Sequence, residues 1–388
     1  MRAVGGAILA ACFGVAICEG QASAAPVVVT TASDEAVAYQ INVAHTGSTN
    51  LSTGFKTPLT QLWSVNLSVM QSYAVIAEGA VFTVGSDGVV TSLDVTTGTT
   101  RWSKPLSVGV RSQILGPAYD NGTLFVLNTS DLLTALSAKN GKTQWVSQLS
   151  QLFSDAPPMA VNGQVFVGGT ETGGTLYALD EATGHVQWSE PVQNGDFSSP
   201  AYGGGAVFVS YPCQFYKFDP ATGEREWYYN GGVEGGGGET PVFFNKKVYI
   251  EDLDCGSLIV KASNGKFVGK FDEPFASANQ NPTLFTGSNG KPIGLSLSGN
   301  SIVAWNGKNG KQLWSFVGDA DPSSFPIVVN GIVVDGTYDG SVFFLDEKGR
   351  QLWSTKTPNQ VSSFSAGEGT LIVVSENFVT AYVPSAPR

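Results

Sequence analysis

The sequence predicts an all-β protein, an eight-bladed β-propeller of four-stranded antiparallel blades, and three observations predict it. A short unit recurs along the chain: an apolar residue, Asp-x-x-Thr-Gly, then Trp four places after the Gly. Its Gly and Trp slots fall at Gly98/Trp102, Gly141/Trp145, Gly184/Trp188, Gly223/Trp227, Gly265/Gly269, Gly310/Trp314 and Gly349/Trp353. Successive slots lie 39 to 45 residues apart, the length of one four-stranded blade. The composition agrees, since 47 Gly, 22 Phe, 12 Tyr and 8 Trp with only 14% charged residues describe a turn-dense β protein.

Each unit reads as a tight hairpin. The Asp side chain bonds the turn backbone, Gly supplies a positive φ, and Trp begins burial on the return strand. The first, third and fourth copies keep the full motif, whereas Asn140, Asn264 and Asn309 precede the Gly in the second, fifth and sixth. Gly269 stands where the fifth copy should have Trp, so that joint must be filled by other residues or left weaker. Trp63, in Leu59–Val65, lies 39 residues before Trp102 but has no hairpin motif ahead of it. Beyond Ser362 the chain supplies three strand-like runs and then ends. The strand around Trp63 therefore closes the last blade, which removes the open sheet edges. Trp63, Trp102, Trp145, Trp188, Trp227, Trp314 and Trp353 form the expected structural series.

Residues 1–24 read as a signal peptide, with Arg2, an apolar Ala3 to Cys18, and Ala22-Ser23-Ala24 as the cleavage motif. The rival reading is the lipoprotein-like box Leu9-Ala10-Ala11-Cys12, and membrane association follows only if Cys12 is lipidated. The protein is thus expected to be secreted or periplasmic, an outer-membrane lipoprotein being the second choice. Residues 25–58 form an N-terminal lead-in and residues 59–384 the propeller. A formal charge of −11 argues against nucleic acid and against an anionic membrane surface as partner.

Cys213 and Cys255 remain once the signal is removed. They lie 42 residues apart at equivalent positions of successive repeats, near the tip joining second and third strands. In an exported protein they read as an inter-blade disulfide, the alternative being two thiols held too far apart by splayed blades. First strands of a propeller line its channel, so the residues just before them are the ones to inspect for a ligand. These are Ser72, Arg111, Asp155, Asp196, Glu239, Gln280, Asn281, Ser324 and Ser362. Arg111, Asp155, Asp196, Glu239, Gln280 and Asn281 are the ligand-binding candidates at the channel mouth, against the reading that all are loop groups in water. His45, in the lead-in, and His185, in a hairpin turn, read as packed or hydrogen-bonding residues. No catalytic triad, elbow motif or metal-ligand spacing appears.

The repeated Asp-x-x-Thr-Gly-x-x-x-Trp unit resembles the pyrroloquinoline quinone (PQQ)-like repeat over about Leu59 to Tyr382. That family includes quinoprotein dehydrogenases, which carry PQQ and a calcium ion. It also includes non-enzymatic envelope scaffolds such as the outer-membrane β-barrel assembly lipoprotein, which binds no quinone. This chain lacks the insertions, the vicinal Cys-Cys pair and the Cys-x-x-Cys-His haem segment that the enzymes carry. Calcium needs about six oxygen ligands, and Glu234, Glu239, Asp252, Asp254 and Asp321 form no recognisable ligand run. The resemblance therefore implies a non-catalytic scaffold without cofactor or metal, binding an envelope or extracellular protein through loops on one face. A PQQ-dependent dehydrogenase-like protein, holding the quinone and Ca²⁺ in the central channel, is the alternative.

Overall fold

The structure is a computed structural model, and it describes Met1 and residues 34–109, 115–150, 154–168, 174–192, 198–211, 213–232, 239–250, 256–271 and 281–385. Asp34–Arg388 forms one compact unit, and every strand among the described residues belongs to it. Eight blades of four antiparallel strands follow one another in chain order, and in the seventh the short Ser48–Thr49 adds a fifth, parallel strand at the inner edge. The innermost strands run from Val75–Ala77 in blade one through Ala118–Asp120, Met159–Val161, Ala201–Gly203, Val242–Phe244, Thr283–Thr286 and Ile327–Val329 to Ser363–Gly367 in blade eight. The strands of blades eight and one meet, which closes the ring.

Closure comes from the N-terminal strand. Leu59–Asn66 pairs antiparallel with Phe378–Pro384, setting Trp63 opposite Ala381 and Ser64 opposite Thr380. The last blade thereby gains its outer strand from the beginning of the chain, and its third strand is not left as an open edge.

Burial tracks position within a blade. The middle strands are covered on both faces by neighbouring blades, so Ala80–Val84 and Thr123–Leu127 are buried throughout. Outer strands such as Thr100–Pro105 alternate between exposed and half-buried, as a strand with one wet face should.

The hairpin motif works through a bulge and a dock. In every blade the register between the third and outer strands shifts just before the Trp slot, as between Ser92 and Leu93 opposite Trp102. The bulge re-aims the side chain toward the next blade. There the indole lies on the turn glycine of the following repeat. A Cβ on Gly141 would fall 2.6 Å from Trp102, and one on Gly184 would fall 2.5 Å from Trp145. Six of the seven indole N–H groups also donate to a carbonyl of that turn: Trp63 to Val95, Trp102 to Ala138, Trp145 to Glu181, Trp188 to Pro220, Trp227 to Ala262 and Trp314 to Glu347, all at 2.8–2.9 Å. The turn Asp residues accept amide bonds, as from Thr96 and Thr97 to Asp94 at 3.0 Å. Hydroxyl bonds from Thr96 and Thr183 chiefly hold the Asp94 and Asp180 carboxyls below the usual carboxylate range.

Candidate functional site: a cup at the hub of the ring

The lead-in is built into the hub. Amides of the innermost strands donate to its carbonyls in sequence: Tyr119 to Val37, Tyr202 to Val43, Phe243 to Ala44, Leu284 to Thr46 and Val328 to Gly47, at 2.6–3.0 Å. Ala36 and Ile76 exchange both main-chain bonds, and Ser48–Thr49 pairs parallel with Ile327–Val329. Inner edges of six blades are thus satisfied by one crossing segment. The crossing is conformationally demanding, because Gln40, Ile41 and His45 all take positive φ, which for a β-branched Ile at +75° is a true outlier. Such a backbone persists only where its surroundings over-determine it.

His45 is one of the determinants. It is fully buried, with Nδ1 2.8 Å from the Tyr39 carbonyl and Nε2 2.8 Å from the Pro200 carbonyl. Burial lowers its pKa while both carbonyl contacts oppose that shift. A neutral imidazole donates to only one of the two acceptors.

Because the strands alternate direction, the starts of the innermost strands, the turns between second and third strands, and the connections leaving the outer strands share one face of the ring. The lead-in contacts lie deeper along the innermost strands, toward the opposite face. It therefore floors the channel and leaves a cup open toward the first face. The cup is a cavity of about 220 Å³ lined by Tyr39, Tyr73, Gly116, Asp155, Glu239, Asn281 and Phe325, among others. It adjoins a second cavity of about 160 Å³ that shares Tyr39, Tyr73 and Phe325 and adds Gln40, Gln71 and Ser362.

Three sequence candidates converge there. Asp155, Glu239 and Asn281 come from the starts of blades three, five and six, and each is buried. Asn281 Nδ2 donates to Tyr39 Oη at 2.9 Å, while its Oδ1 has no hydrogen-bond partner. Arg111, Asp196 and Gln280 lie outside the described residues, as does Cys255. Ser362 lines the adjoining cavity, whereas Ser72 turns back to bond the Tyr73 carbonyl at 2.7 Å. Burial pushes the Tyr39 phenol up, with the Asn281 bond opposing and the nearby Glu239 reinforcing the rise. Burial likewise raises Tyr73, whose hydroxyl donates to the Pro117 carbonyl at 3.0 Å. Tyr39 and Tyr73 meet with ring centroids 5.4 Å apart.

Sequence reasoning missed Tyr39, Gln40, Tyr73 and Phe325. The segment holding Tyr39 was singled out only for its histidine, and nothing in a non-repetitive lead-in announces that it will enter the hub.

Repeats, closure and hub together define a PQQ-like-repeat propeller. The family model described as outer membrane protein assembly factor BamB matches residues 58–159, 150–271 and 269–384, and the chain belongs to that family. No curated protein matches the sequence. Among solved structures, BamB from Moraxella catarrhalis superimposes with a TM-score of 0.66 at 19% identity, covering 86% of this chain and 99% of that one. A europium-containing methanol dehydrogenase gives 0.72 at 14% identity, covering 87% and 89%. The quinohemoprotein alcohol dehydrogenase from Comamonas testosteroni gives 0.72 at 16%, covering 91% and 81%. At these identities the likeness is one of fold.

PQQ carries three carboxylates and calls for cationic donors; among the described residues the lining offers carboxylates, side-chain amides, hydroxyls and aromatic rings, with no Lys or Arg, and Arg111 lies outside the described residues. Among the described residues no group of three His, Cys, Asp or Glu side chains is placed to hold a metal ion.

Proposed function

We propose that this chain is an exported, non-catalytic scaffold that binds another envelope or extracellular protein through loops on the cup-side face. The observation that carries this reading is a set of large apolar side chains left exposed on that face. Met70 is 55% exposed, Val108 61%, Val317 56% and Tyr338 60%. They sit on the connections leaving blades eight and one, at the end of the outer strand of blade six, and in the second-to-third-strand turn of blade seven. Exposed apolar groups mounted on a rigid ring are what a protein partner would bury. A family named for outer membrane protein assembly also fits a protein partner.

The test is affinity capture from envelope extracts with the native protein and a Val108→Asp/Tyr338→Asp variant. One stoichiometric partner, lost with the variant, supports the reading, and equal capture by both rejects this face. The second reading, a quinone-binding dehydrogenase, is favoured by the dehydrogenase folds that superimpose on the chain. Dye reduction with alcohol or sugar after loading with PQQ and Ca²⁺ would establish it.

The same reading holds that the chain is cleaved after Ala24, which intact mass distinguishes from acylation at Cys12. It also holds that Cys213 bridges Cys255. Cys213 is fully buried and engaged in a bond, and reduction should add about two daltons to the mature mass.

A further inference from the structure

We infer that the face opposite the cup, over blades five and six, docks an acidic segment of a partner protein, with an aromatic side chain of that segment in the cavity between blades four and five. This is the other face of the ring from the one in the proposed function, and the inference does not depend on that reading. The protein carries a net charge of −11, yet its described residues from Thr240 to Gly318 include no Asp or Glu. Glu251, Asp252, Asp254, Asp272 and Glu273 lie outside the described residues, in gaps flanked by strand ends of the cup-side face. Blade five places Lys246, Lys247, Lys261 and Lys266 at its turns on the opposite face, and blade six places Lys291, Lys308 and Lys311 there. The hairpin Asp of the repeat, kept as Asp94, Asp180 and Asp219 in blades one, three and four, is Lys261 in blade five and Asn306 in blade six.

The fold holds these like charges together. Lys247 stands opposite Lys261 in the ladder, and its Nζ lies 3.4 Å from the carbonyl oxygens of Gly307 and Lys308 across the joint between the blades. Like charges directly opposed destabilise a sheet, and burial together with the nearby Lys308 lowers the Lys247 pKa. No ion pair joins any of these lysines to a carboxylate among the described residues. The bordering Glu226 and Glu347 are engaged, the first by Lys217 at 2.6 Å and the second by the Ser288 amide at 2.7 Å. On the same face a cavity of about 300 Å³ lies between blades four and five, lined by Phe208, Phe243, Lys217 and Lys246 among others. Its two rings stack with centroids 5.6 Å apart. An aromatic side chain finds ring surface there, while carboxylates beside it in sequence reach Lys246 and the lysines beyond. An anionic membrane is the poorer match, because Asp94, Asp180, Asp219 and Asp346 stand at other hairpins of this face and repel a plane of headgroups laid across the whole ring.

The experiment is fluorescence anisotropy of a fluorescein-labelled peptide of three glutamates, one phenylalanine and three glutamates, titrated with the full-length mature protein in dilute salt. Saturable binding is expected with a dissociation constant at or below about 0.1 mM, weakened about fivefold or more when NaCl is raised to about 0.5 M. The peptide with serine for every glutamate should not bind, and the one with serine for phenylalanine should bind about fivefold more weakly. Lys261→Glu/Lys308→Glu should weaken the acidic peptide about tenfold or more. Lys139→Glu/Lys142→Glu makes the same change of net charge at the blade-two hairpin on this face and should leave binding within about twofold. Absence of saturable binding overturns the inference, as does equal loss from the two double variants or equal binding of the serine-for-phenylalanine peptide. Retention on phosphatidylglycerol vesicles that Lys261→Glu/Lys308→Glu abolishes, with no binding of the peptide, would make the surface a membrane contact instead. Should a variant fail to fold, the peptide series and its salt dependence on the native protein decide alone.

Discussion

The joint between blades four and five and the joint between blades five and six perform the same task with different residues. In the first, the Trp227 indole lies on Gly265 and donates to the Ala262 carbonyl at 2.9 Å. In the second the Trp slot is Gly269, and main chain replaces the indole. A Cβ on Gly310 would fall 2.0 Å from the Lys270 carbonyl oxygen and 2.5 Å from Phe271 Cα. The missing aromatic volume is supplied from inside the sheet, where Phe271 stacks on Trp305 with centroids 4.3 Å apart. Tyr249 packs beside them at 5.9 Å from Trp305. Gly294 makes room, since a Cβ there would meet Trp305 at 2.2 Å. The turn glycine is needed in either solution, whereas the indole is one of two ways to cover it.

That comparison breaks most sharply at Trp305. It is fully buried and bonds Ser296 Oγ through Nε1 at 2.9 Å. Trp305→Ala should cost about 3–5 kcal/mol, toward the upper end, and Trp188→Ala, at a half-buried dock, toward the lower end; urea midpoints measure both. Next in size is the turn itself. Gly223→Ala meets a φ of +75° and sets a Cβ 2.8 Å from Trp188, so a loss of about 1–3 kcal/mol is expected by the same measurement.

The joint between blades two and three adds a titrating carboxyl. The Trp145 indole bonds the Glu181 carbonyl, and the Glu181 carboxyl is pushed up to about 7 by burial and by the neighbouring Asp120. The folded state thus retains a proton that the unfolded chain releases near 4.5. Its contribution to stability is complete below that pH and is lost as pH rises through about 7. Glu181→Gln should flatten this fall, seen by comparing urea midpoints at about pH 4, 6 and 8. Smallest of all is Gly269→Ala. A Cβ there meets nothing within 4 Å, so stability should hold or rise by up to about 1 kcal/mol; a loss comparable to that at Gly223 would show that the empty Trp slot does not tolerate a side chain.

The repeat, the blade count and the closing strand were legible because each rests on local chemistry repeated along the chain. Asp, Gly and Trp do the same thing at each hairpin, and Trp63 announces a return strand without its partner. The gap at Gly269 was legible too, but the part played by Trp305 was not. Its role as substitute depends on Gly294 across the sheet and Phe271 in another blade, neither of which carries a motif. In the cup, Asp155, Glu239 and Asn281 were reachable because their places before first strands repeat with the blades. Tyr39 and Gln40 were not, since the lead-in belongs to no repeat.

The sequence alone determined the units, their number and the way the ring shuts, because turn chemistry and strand alternation act over a few residues. Only the tertiary structure decided that Asp34 to Thr49 crosses the hub and turns an open channel into a floored cup. Those contacts join residues far apart in the chain through backbone carbonyls, which every residue possesses and no side-chain pattern reveals.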